Sequence, residues 1–448
     1  MRNAFINRIK LSGGYALLPI LLFLVIFIGS GVYFSLLNTP FAFYQVSATV
    51  AILPSIILAI GLGNGDFVSK ISNFIDGVRD SSIITMCLIY LLAGAYTEVL
   101  KSIGGVEAAV NLTLSFLPPQ ATLPGLFILS AFVATAMGTS MGTIAAMAPI
   151  AFGIAQAIGL SIPLTMGTVV GGAMFGDNLS LISDTTIAAV QTQGGTLKDK
   201  FKINSLIALP AMIVTLITLI AYGFNNPCQS CVTITEFPWI MSTPYIFVLI
   251  LAISGVNVFL VLILGILSAG FIGICFTSNY TLLNYAKSIY QGYGSMQEIL
   301  ILSLLIGGLS HLSKTQGGLQ SLINFTGKIV HKFSKKESKS VVEGAIATIV
   351  SLCDICTANN TIAIILAGEA THELAKKYHL PPSRTATLVD LFSCVFQGIL
   401  PYSAQILLAG SIASISPLSI IPHVYYCYAL GIAGVFAIFL QKPKFHAK

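Results

Sequence analysis

The sequence has few charged residues and no long hydrophilic stretch. Only 8% of its 448 residues are Asp, Glu, Lys or Arg, against about 25% in a usual soluble domain, and 55% are hydrophobic. No hydrophilic block is large enough to fold separately, so we expect one domain covering residues 1–448. Several apolar runs approach the roughly 20 residues that a helix needs to cross a bilayer. The composition excludes an ordinary soluble protein and predicts an all-α membrane protein with many spans.

The net charge of +6 does not indicate a protein that binds nucleic acid. Basic residues cluster beside apolar runs, at 2–10, 198–202, 328–339 and 442–448, which is the pattern of cytoplasmic loops. The apolar run at 15–37 is longer than a signal-peptide core and lacks a small-x-small cleavage site, so we interpret it as the first span. These patterns predict a multi-pass protein of the cell inner (plasma) membrane, in contact with the lipid bilayer, with both termini in the cytoplasm.

Cysteine and histidine are too dispersed to predict a metal site. The pairs Cys228/Cys231 and Cys353/Cys356 have C-x-x-C spacing, but no second pair and no histidine pair lies near either of them in sequence. Structural zinc requires four ligands. We therefore predict no cofactor and no redox site.

The two halves of the chain resemble each other. Residues 88–113 align without gaps with residues 301–326, and residues 138–143 (GTSMGT) pair in the same way with residues 356–361 (CTANNT). The identical pairs in the first stretch are Leu91/Leu304, Leu92/Leu305, Gly94/Gly307, Lys101/Lys314, Gly104/Gly317, Gly105/Gly318, Asn111/Asn324 and Thr113/Thr326. Internal repeats are common in secondary transporters. We predict repeat one at about 14–223 and repeat two at about 238–440.

Loop charges indicate that the two repeats are inverted. The loops around 121–160 carry no Lys or Arg, whereas those around 341–377 are rich in them. Because both flanks of each segment share one character, each segment is predicted to be a re-entrant hairpin with its turn at GTSMGT or CTANNT. The chain then has about ten transmembrane helices plus two hairpins. The predicted spans are 14–37, 45–63, 81–100, 163–192, 203–223, 238–254, 256–277, 297–313, 384–415 and 420–440.

Two of these spans are too long to be continuous. The spans at 163–192 and 384–415 would each be about 45 Å long as unbroken helices, well over the hydrocarbon thickness. Glycine and proline predict breaks at 176–180 and at 398–401. Unwound carbonyls and half-helix ends at such breaks can coordinate a cation.

Residues 175–186, FGDNLSLISDTT, place Asp177 and Asp184 within an apolar segment. A carboxylate at bilayer depth is costly and by default marks an ion or proton pathway. In one continuous helix the two carboxylates would stand about 10 Å apart, so binding of one Na⁺ by both requires the break at Asp177.

Hard cations prefer oxygen ligands. The candidate ligands are Asp177, Asn178, Ser180, Ser183, Asp184 and Thr185 from this segment and Thr139, Ser140, Thr143, Asn359, Asn360 and Thr361 from the hairpin turns. Candidate proton carriers are Asp177, Asp184, Asp354 and Asp390. The alternative interpretation is structural, with Asp177 capping a half-helix, Asp184 paired within the bundle and the turn residues only packing helices.

The segment resembles the signature of the NhaC-type sodium/proton antiporter family, G-D-x-L-S-P-L-S-D-T-T. The matching residues are Gly176, Asp177, Leu179, Ser180, Ser183, Asp184, Thr185 and Thr186, while Leu181 and Ile182 replace Pro and Leu. The resemblance implies the ion-transporter superfamily, with paired hairpins, inverted repeats and exchange of Na⁺ for H⁺. Homodimers are usual in that superfamily, although no feature of this sequence requires one.

Two other functions remain open at this stage. A malate, lactate or amino-acid transporter could use the same scaffold, but an organic anion would require basic or amide donors, and the turns offer only Asn359, Asn360 and helix N-termini. An intramembrane aspartyl protease is a remote alternative, because residues 63–66 fit a G-x-G-D pattern. Asp66 lies in a charged, glycine-rich turn that needs no catalytic explanation.

Overall fold

The computed structural model describes residues 13–37, 39, 45–62, 65–105, 108, 118–225, 239–318, 321 and 339–443. Every regular element within these residues is helical. The α-helices are α1 (Leu18–Leu36), α2 (Ala48–Ala51), α3 (Leu53–Leu62), α4 (Phe67–Val78), α5 (Ser81–Ser102), α6 (Thr122–Met137), α7 (Ser140–Ile158), α8 (Ile162–Leu179), α9 (Asp184–Gln193), α10 (Leu197–Asn225), α11 (Thr243–Ile253), α12 (Val258–Phe276), α13 (Leu282–Ser295), α14 (Gln297–Thr315), α15 (Lys339–Thr357), α16 (Asn360–Lys377), α17 (Pro382–Gln397), α18 (Ala404–Ala413), α19 (Pro417–Ile420) and α20 (Tyr425–Leu440). Cys228 and Cys231 lie outside the described residues.

The helices are those of a multi-pass membrane protein. Within the described residues, seven helices are long and apolar enough to cross a bilayer, or eight if the bent pair from Ala404 to His423 is one span. Large apolar side chains are exposed along α1, α10, α12 and α20, including Val25, Ile217, Phe271 and Phe439. Apolar faces of this extent indicate contact with lipid. The all-helical membrane fold is confirmed, while the count of ten spans and the re-entrant course of the hairpins stay predictions.

Both predicted hairpin turns interrupt the helices where expected. Gly138, with a left-handed φ of 67°, ends α6, and Thr139 caps α7. Ala358 has a φ of 52° and Asn359 caps α16. The caps pair Thr139 with Asn359, so the ungapped alignment of GTSMGT with CTANNT is wrong by two residues. A helix N-cap has a defined backbone conformation, so the two N-cap residues identify equivalent positions of the two turns better than a few identical residues do.

The two long spans are broken, but the first break lies later than predicted. Residues 398–403 separate α17 from α18, as expected, whereas residues 180–183 separate α8 from α9. Gly176 and Asp177 are helical. A Cβ at Gly176 would collide with the carbonyl oxygen of Ala131 on α6, so this glycine permits close packing of α6 and α8 and does not break α8.

Each broken span changes its packing partner at the break. Helix α8 packs against α6 and α7, while α9 packs against α16. Correspondingly, α17 packs against α15, while α18 packs against α7. Both helix breaks and both hairpin turns therefore lie close together in the interior.

Helices α4 and α13 were not predicted. Helix α4 packs against α14, and α13 packs against α5. At the second contact Gly94 and Gly292 face each other so closely that a Cβ on either would collide with the other's carbonyl oxygen. Lys101 and Lys314 are exposed in the last turns of α5 and α14, at helix ends as predicted.

Candidate functional site

One cavity of about 270 Å³ lies where the hairpin turns and helix breaks meet. Its wall also includes the start of α5 and two amide side chains, Gln397 and Gln405. Ser81, Thr85 and Asp184 line the cavity and are exposed, so it reaches the surface beside the start of α5. Nine of the twelve predicted cation ligands line it: Thr139, Ser140, Asp177, Ser183, Asp184, Thr185, Asn359, Asn360 and Thr361.

Asp177 connects the first hairpin turn to the first helix break. It is only 6% exposed, and its Oδ2 accepts a hydrogen bond from Ser140 Oγ at 2.8 Å while Oδ1 accepts one from Ser183 Oγ at 2.6 Å. Ser140 begins α7, and Ser183 precedes α9 and exchanges a further hydroxyl hydrogen bond with Thr185 at 2.9 Å. Each hydroxyl oxygen keeps lone pairs while it donates. Asp177, Ser140 and Ser183 can therefore offer three oxygen ligands to one cation.

Asp184 differs from the prediction because it is exposed. The break ends at Ser183, so Asp184 is the first residue of α9, where the positive end of the helix dipole favours a carboxylate. It lies in the cavity wall at the surface end, while Asp177 lies buried. Asp177 itself is helical, contrary to the prediction, and the break falls between the two carboxylates.

A chain of amide hydrogen bonds joins the second hairpin turn to the first. Gln397 Nε2 donates to the carbonyl of Ala358 at 3.2 Å and to Gln405 Oε1 at 2.8 Å, and Gln405 Nε2 donates to Ser140 Oγ at 3.1 Å. Gln397 and Asp177 occupy matching places, each six residues before the serine at the N-cap position of the next helix. The two broken spans thus present a carboxylate on one side and a neutral amide on the other.

The other three predicted ligands do not line the cavity. Asn178 Oδ1 accepts a hydrogen bond from Asn204 Nδ2 at 2.9 Å. The hydroxyls of Ser180 and Thr143 each donate to a main-chain carbonyl at 2.9 Å. These side chains are already satisfied within the protein, so they stabilise the turn and break rather than face the cavity.

Lys200 is buried, and its interpretation as a loop charge was wrong. Its Nζ lies 2.5 Å from Asp390 Oδ2, and both side chains are 1% exposed. Nζ also donates to the carbonyl of Asn178 at 3.1 Å and to Thr186 Oγ1 at 2.7 Å. Lys200 therefore spans the break between α8 and α9 from behind the cavity, and Asp390, a predicted proton carrier, is its counter-ion.

Asp354 is the remaining predicted proton carrier. It is fully buried on α15, does not line the cavity, and neither carboxyl oxygen has a hydrogen-bond partner within the described residues. A charge in such a place is costly. The structure thus separates the four predicted carriers into two that line the cavity, Asp177 and Asp184, and two that do not, Asp354 and Asp390.

Sequence reasoning missed Lys200, Gln397 and Gln405. A signal existed for Lys200, because Asn204 lies four residues later on the same helical face, at the start of an apolar run. Gln397 immediately precedes the predicted break at 398–401, and an amide beside a break in an apolar span is unusual. Only the packing of α17 and α18 against the turns shows where both amides point.

Asp66, the aspartate on which the protease alternative depends, has a structural role. Asp66 is exposed and caps α4, accepting a hydrogen bond from the Ser69 N–H at 3.3 Å. Gly63 and Asn64 lie outside the described residues. The carboxylate thus has the capping role that its turn predicts.

The chain is similar in sequence to several known membrane transport proteins. The chain matches the Na⁺/H⁺ antiporter family over residues 6–226. It is 21% identical to the Na(+)/H(+) antiporter NhaC of Bacillus subtilis, over 82% of this chain and 86% of that protein. It is also 21% identical to the Malate-2H(+)/Na(+)-lactate antiporter of Bacillus subtilis over 94% of each chain, and 22% identical to the arginine/ornithine antiporter ArcD of Halobacterium salinarum over 78% of each. The crystal structure of the Alcanivorax borkumensis YdaH transporter is a weak match, with 14% identity, a TM-score of 0.43, and coverage of 94% of this chain and 98% of that one.

Multiple apolar helices and an oxygen-lined interior cavity define the class, a multi-pass membrane transporter. Within that class, the resemblance to the NhaC-type sodium/proton antiporter family predicted from residues 176–186 is confirmed, because the Na⁺/H⁺ antiporter family matches residues 6–226 and NhaC proteins are among the similar proteins.

Proposed function

We propose that the chain is a secondary active Na⁺/H⁺ antiporter that exchanges the two cations at the cavity between the broken helices and the hairpin turns. The chemistry of the cavity wall carries the proposal. Among the described residues it contains two carboxylates, Asp177 and Asp184, and many hydroxyl and amide oxygens, but no Lys, Arg or His. Such a wall offers oxygen ligands to cations and no basic side chain to an organic anion.

Asp177 is the residue at which we propose that Na⁺ and H⁺ compete. When it is charged, its oxygens together with the hydroxyls of Ser140 and Ser183 bind Na⁺. When it is protonated, the site loses its buried negative charge and releases Na⁺. Asp184, at the surface end of the cavity, gathers cations from solution, and Asp354 and Asp390 are the further proton carriers proposed behind the cavity.

We further propose that the protein lies in the inner membrane with its cavity open to the cytoplasm. The cavity reaches the surface beside the start of α5, close in sequence to Arg79, and α9 leads from it towards Lys198 and Lys202. Arg79, Lys198 and Lys202 are exposed, and basic residues are retained on the cytoplasmic side. If each predicted repeat has five spans and one hairpin and the two are inverted, both termini lie on that side as well.

Purified protein in acid-loaded proteoliposomes tests the proposal. Na⁺ added outside should raise the internal pH, and the apparent KM for Na⁺ should rise as pH falls, approaching roughly tenfold per pH unit if one proton excludes one Na⁺. Liposomes containing Asp177→Asn are the matched control. The proposal fails if Na⁺ leaves the gradient intact while malate, lactate or an amino acid dissipates it.

A cationic amino acid is the second candidate. A volume of about 270 Å³ exceeds what one Na⁺ requires, and two carboxylates without a basic residue suit an organic cation better than a carboxylic acid. Dissipation of the pH gradient by arginine or ornithine, and not by Na⁺, would favour this function.

A further inference from the structure

A second cavity, of about 250 Å³, lies between the start of α14 and the C-terminal half of α18. Glu298 and Ser295 line it on one side and Leu407 and Ser411 on the other. It shares no lining residue with the cavity of about 270 Å³ that contains Asp177 and Asp184, called the site cavity below.

The second cavity uses the same face of α14 that the site cavity uses on α5. Its α13–α14 lining residues are Ser295, Glu298, Ile299 and Leu302, and each lies 213 positions after a lining residue of the site cavity, namely Ser82, Thr85, Met86 and Ile89. The same offset aligns Gly94 with Gly307 in the sequence repeat. In an inverted repeat, equivalent faces open to opposite sides of the membrane.

The wall of the second cavity is suited to cations. Glu298 is exposed, and its Oε1 accepts a hydrogen bond from Ser47 Oγ at 2.6 Å. Ser411 Oγ donates to the carbonyl of Ser295 at 3.2 Å, and α18 ends beside the cavity at Ala413, where its carbonyl dipoles favour positive charge. Among the described lining residues, none is basic.

The two cavities lie on different faces of α18. Gln405 lines the site cavity and Leu407 lines the second one, and residues two apart on a helix point to nearly opposite faces. A path from the second cavity to the site therefore requires movement of α18 relative to α14.

We infer that the second cavity is the closed outer entrance of the transport pathway and that Glu298 is the carboxylate that gathers monovalent cations there. This inference rests on the proposed antiport function and on the inverted arrangement of the repeats. Removal of its charge should impair cation binding from the outer face only.

Right-side-out and everted membrane vesicles test this, because they present opposite faces to added Na⁺. Glu298→Gln should raise the apparent KM for Na⁺ roughly tenfold at the outer face, as expected when a steering charge is lost, and leave the cytoplasmic KM nearly unchanged. Glu298→Asp keeps the charge and should behave like the wild type. Glu373→Gln, on the exposed face of α16, is a matched control for loss of one surface carboxylate.

A change of equal size at both faces, or at neither, overturns the inference while wild-type exchange still supports antiport. Absence of wild-type Na⁺/H⁺ exchange would instead overturn the proposed function. If Glu298→Gln does not fold, Ser295→Cys and Ser82→Cys replace it, in a background without other accessible thiols. A membrane-impermeant thiol reagent should label Ser295→Cys only from outside and Ser82→Cys only from the cytoplasmic side, and labelling of both from one side contradicts the inference.

Discussion

Lys200 Nζ lies 2.5 Å from Asp390 Oδ2, and this buried ion pair connects α10 to α17 directly behind the site cavity. Lys200 also contacts the last turn of α8 and the first turn of α9. The pair therefore fixes the geometry of the break that follows Asp177 and from which Ser183 faces the cavity.

Loss of either member of this pair should destabilise the fold. Lys200→Met and Asp390→Asn should each cost roughly 3–5 kcal/mol, because each leaves the other group buried without its partner. The double variant Lys200→Met/Asp390→Asn should recover about 1–3 kcal/mol of the summed loss, since no unpaired charge remains. Unfolding midpoints in detergent measure this, with Lys202→Met as the exposed control, and strictly additive losses would contradict the pair.

Asp177 and Asp184 should differ in their effect on transport. Asp177→Asn should abolish Na⁺-dependent proton movement and retain the fold, since the amide is nearly isosteric. Asp184→Asn should raise the apparent KM for Na⁺ at the cytoplasmic face and keep the maximal rate, because Asp184 is exposed at the cavity's surface end. Initial rates in everted vesicles distinguish the two effects. Wild-type rates in Asp177→Asn would remove that carboxylate from the mechanism.

The break between α8 and α9 should accept proline at the position where the family signature has it. Ser180 is extended, with φ −68° and ψ 136°, a conformation that a following proline favours. Leu181→Pro should therefore fold and transport normally. Met174→Pro, inside α8, is the control that should disrupt the helix and destabilise the fold by about 3 kcal/mol or more.

Gly176→Ala should lower the unfolding midpoint of the protein, because the added Cβ meets the α6 backbone.

The inverted arrangement predicts opposite accessibility of matching loops. In a background without accessible thiols, Gln120→Cys should react with an impermeant reagent added outside the cell, and Lys339→Cys should react only in everted vesicles. Gln120 precedes α6, and Lys339 is the first residue of the equivalent helix α15. Labelling from the same side would exclude inverted repeats.

The sequence by itself determined the membrane fold, because a chain with 8% charged residues cannot present a solvated surface. It also determined the hairpin turns and the second break, since these depend on local features such as Thr139, Asn359 and the residues at 398–401. The motif with Asp177 predicted residues that line the cavity, for the same reason.

Only the tertiary structure decided which polar groups share the cavity. Asp184 proved exposed and Asp390 paired, because burial depends on neighbouring helices that no local pattern specifies. Lys200 looked like a loop charge until α17 was placed beside α10, and Gly176 looked like a helix breaker until α6 was packed against α8. A helix break or cap is encoded over a few residues, whereas the partner of a buried charge is chosen by contacts between segments that are far apart in the chain.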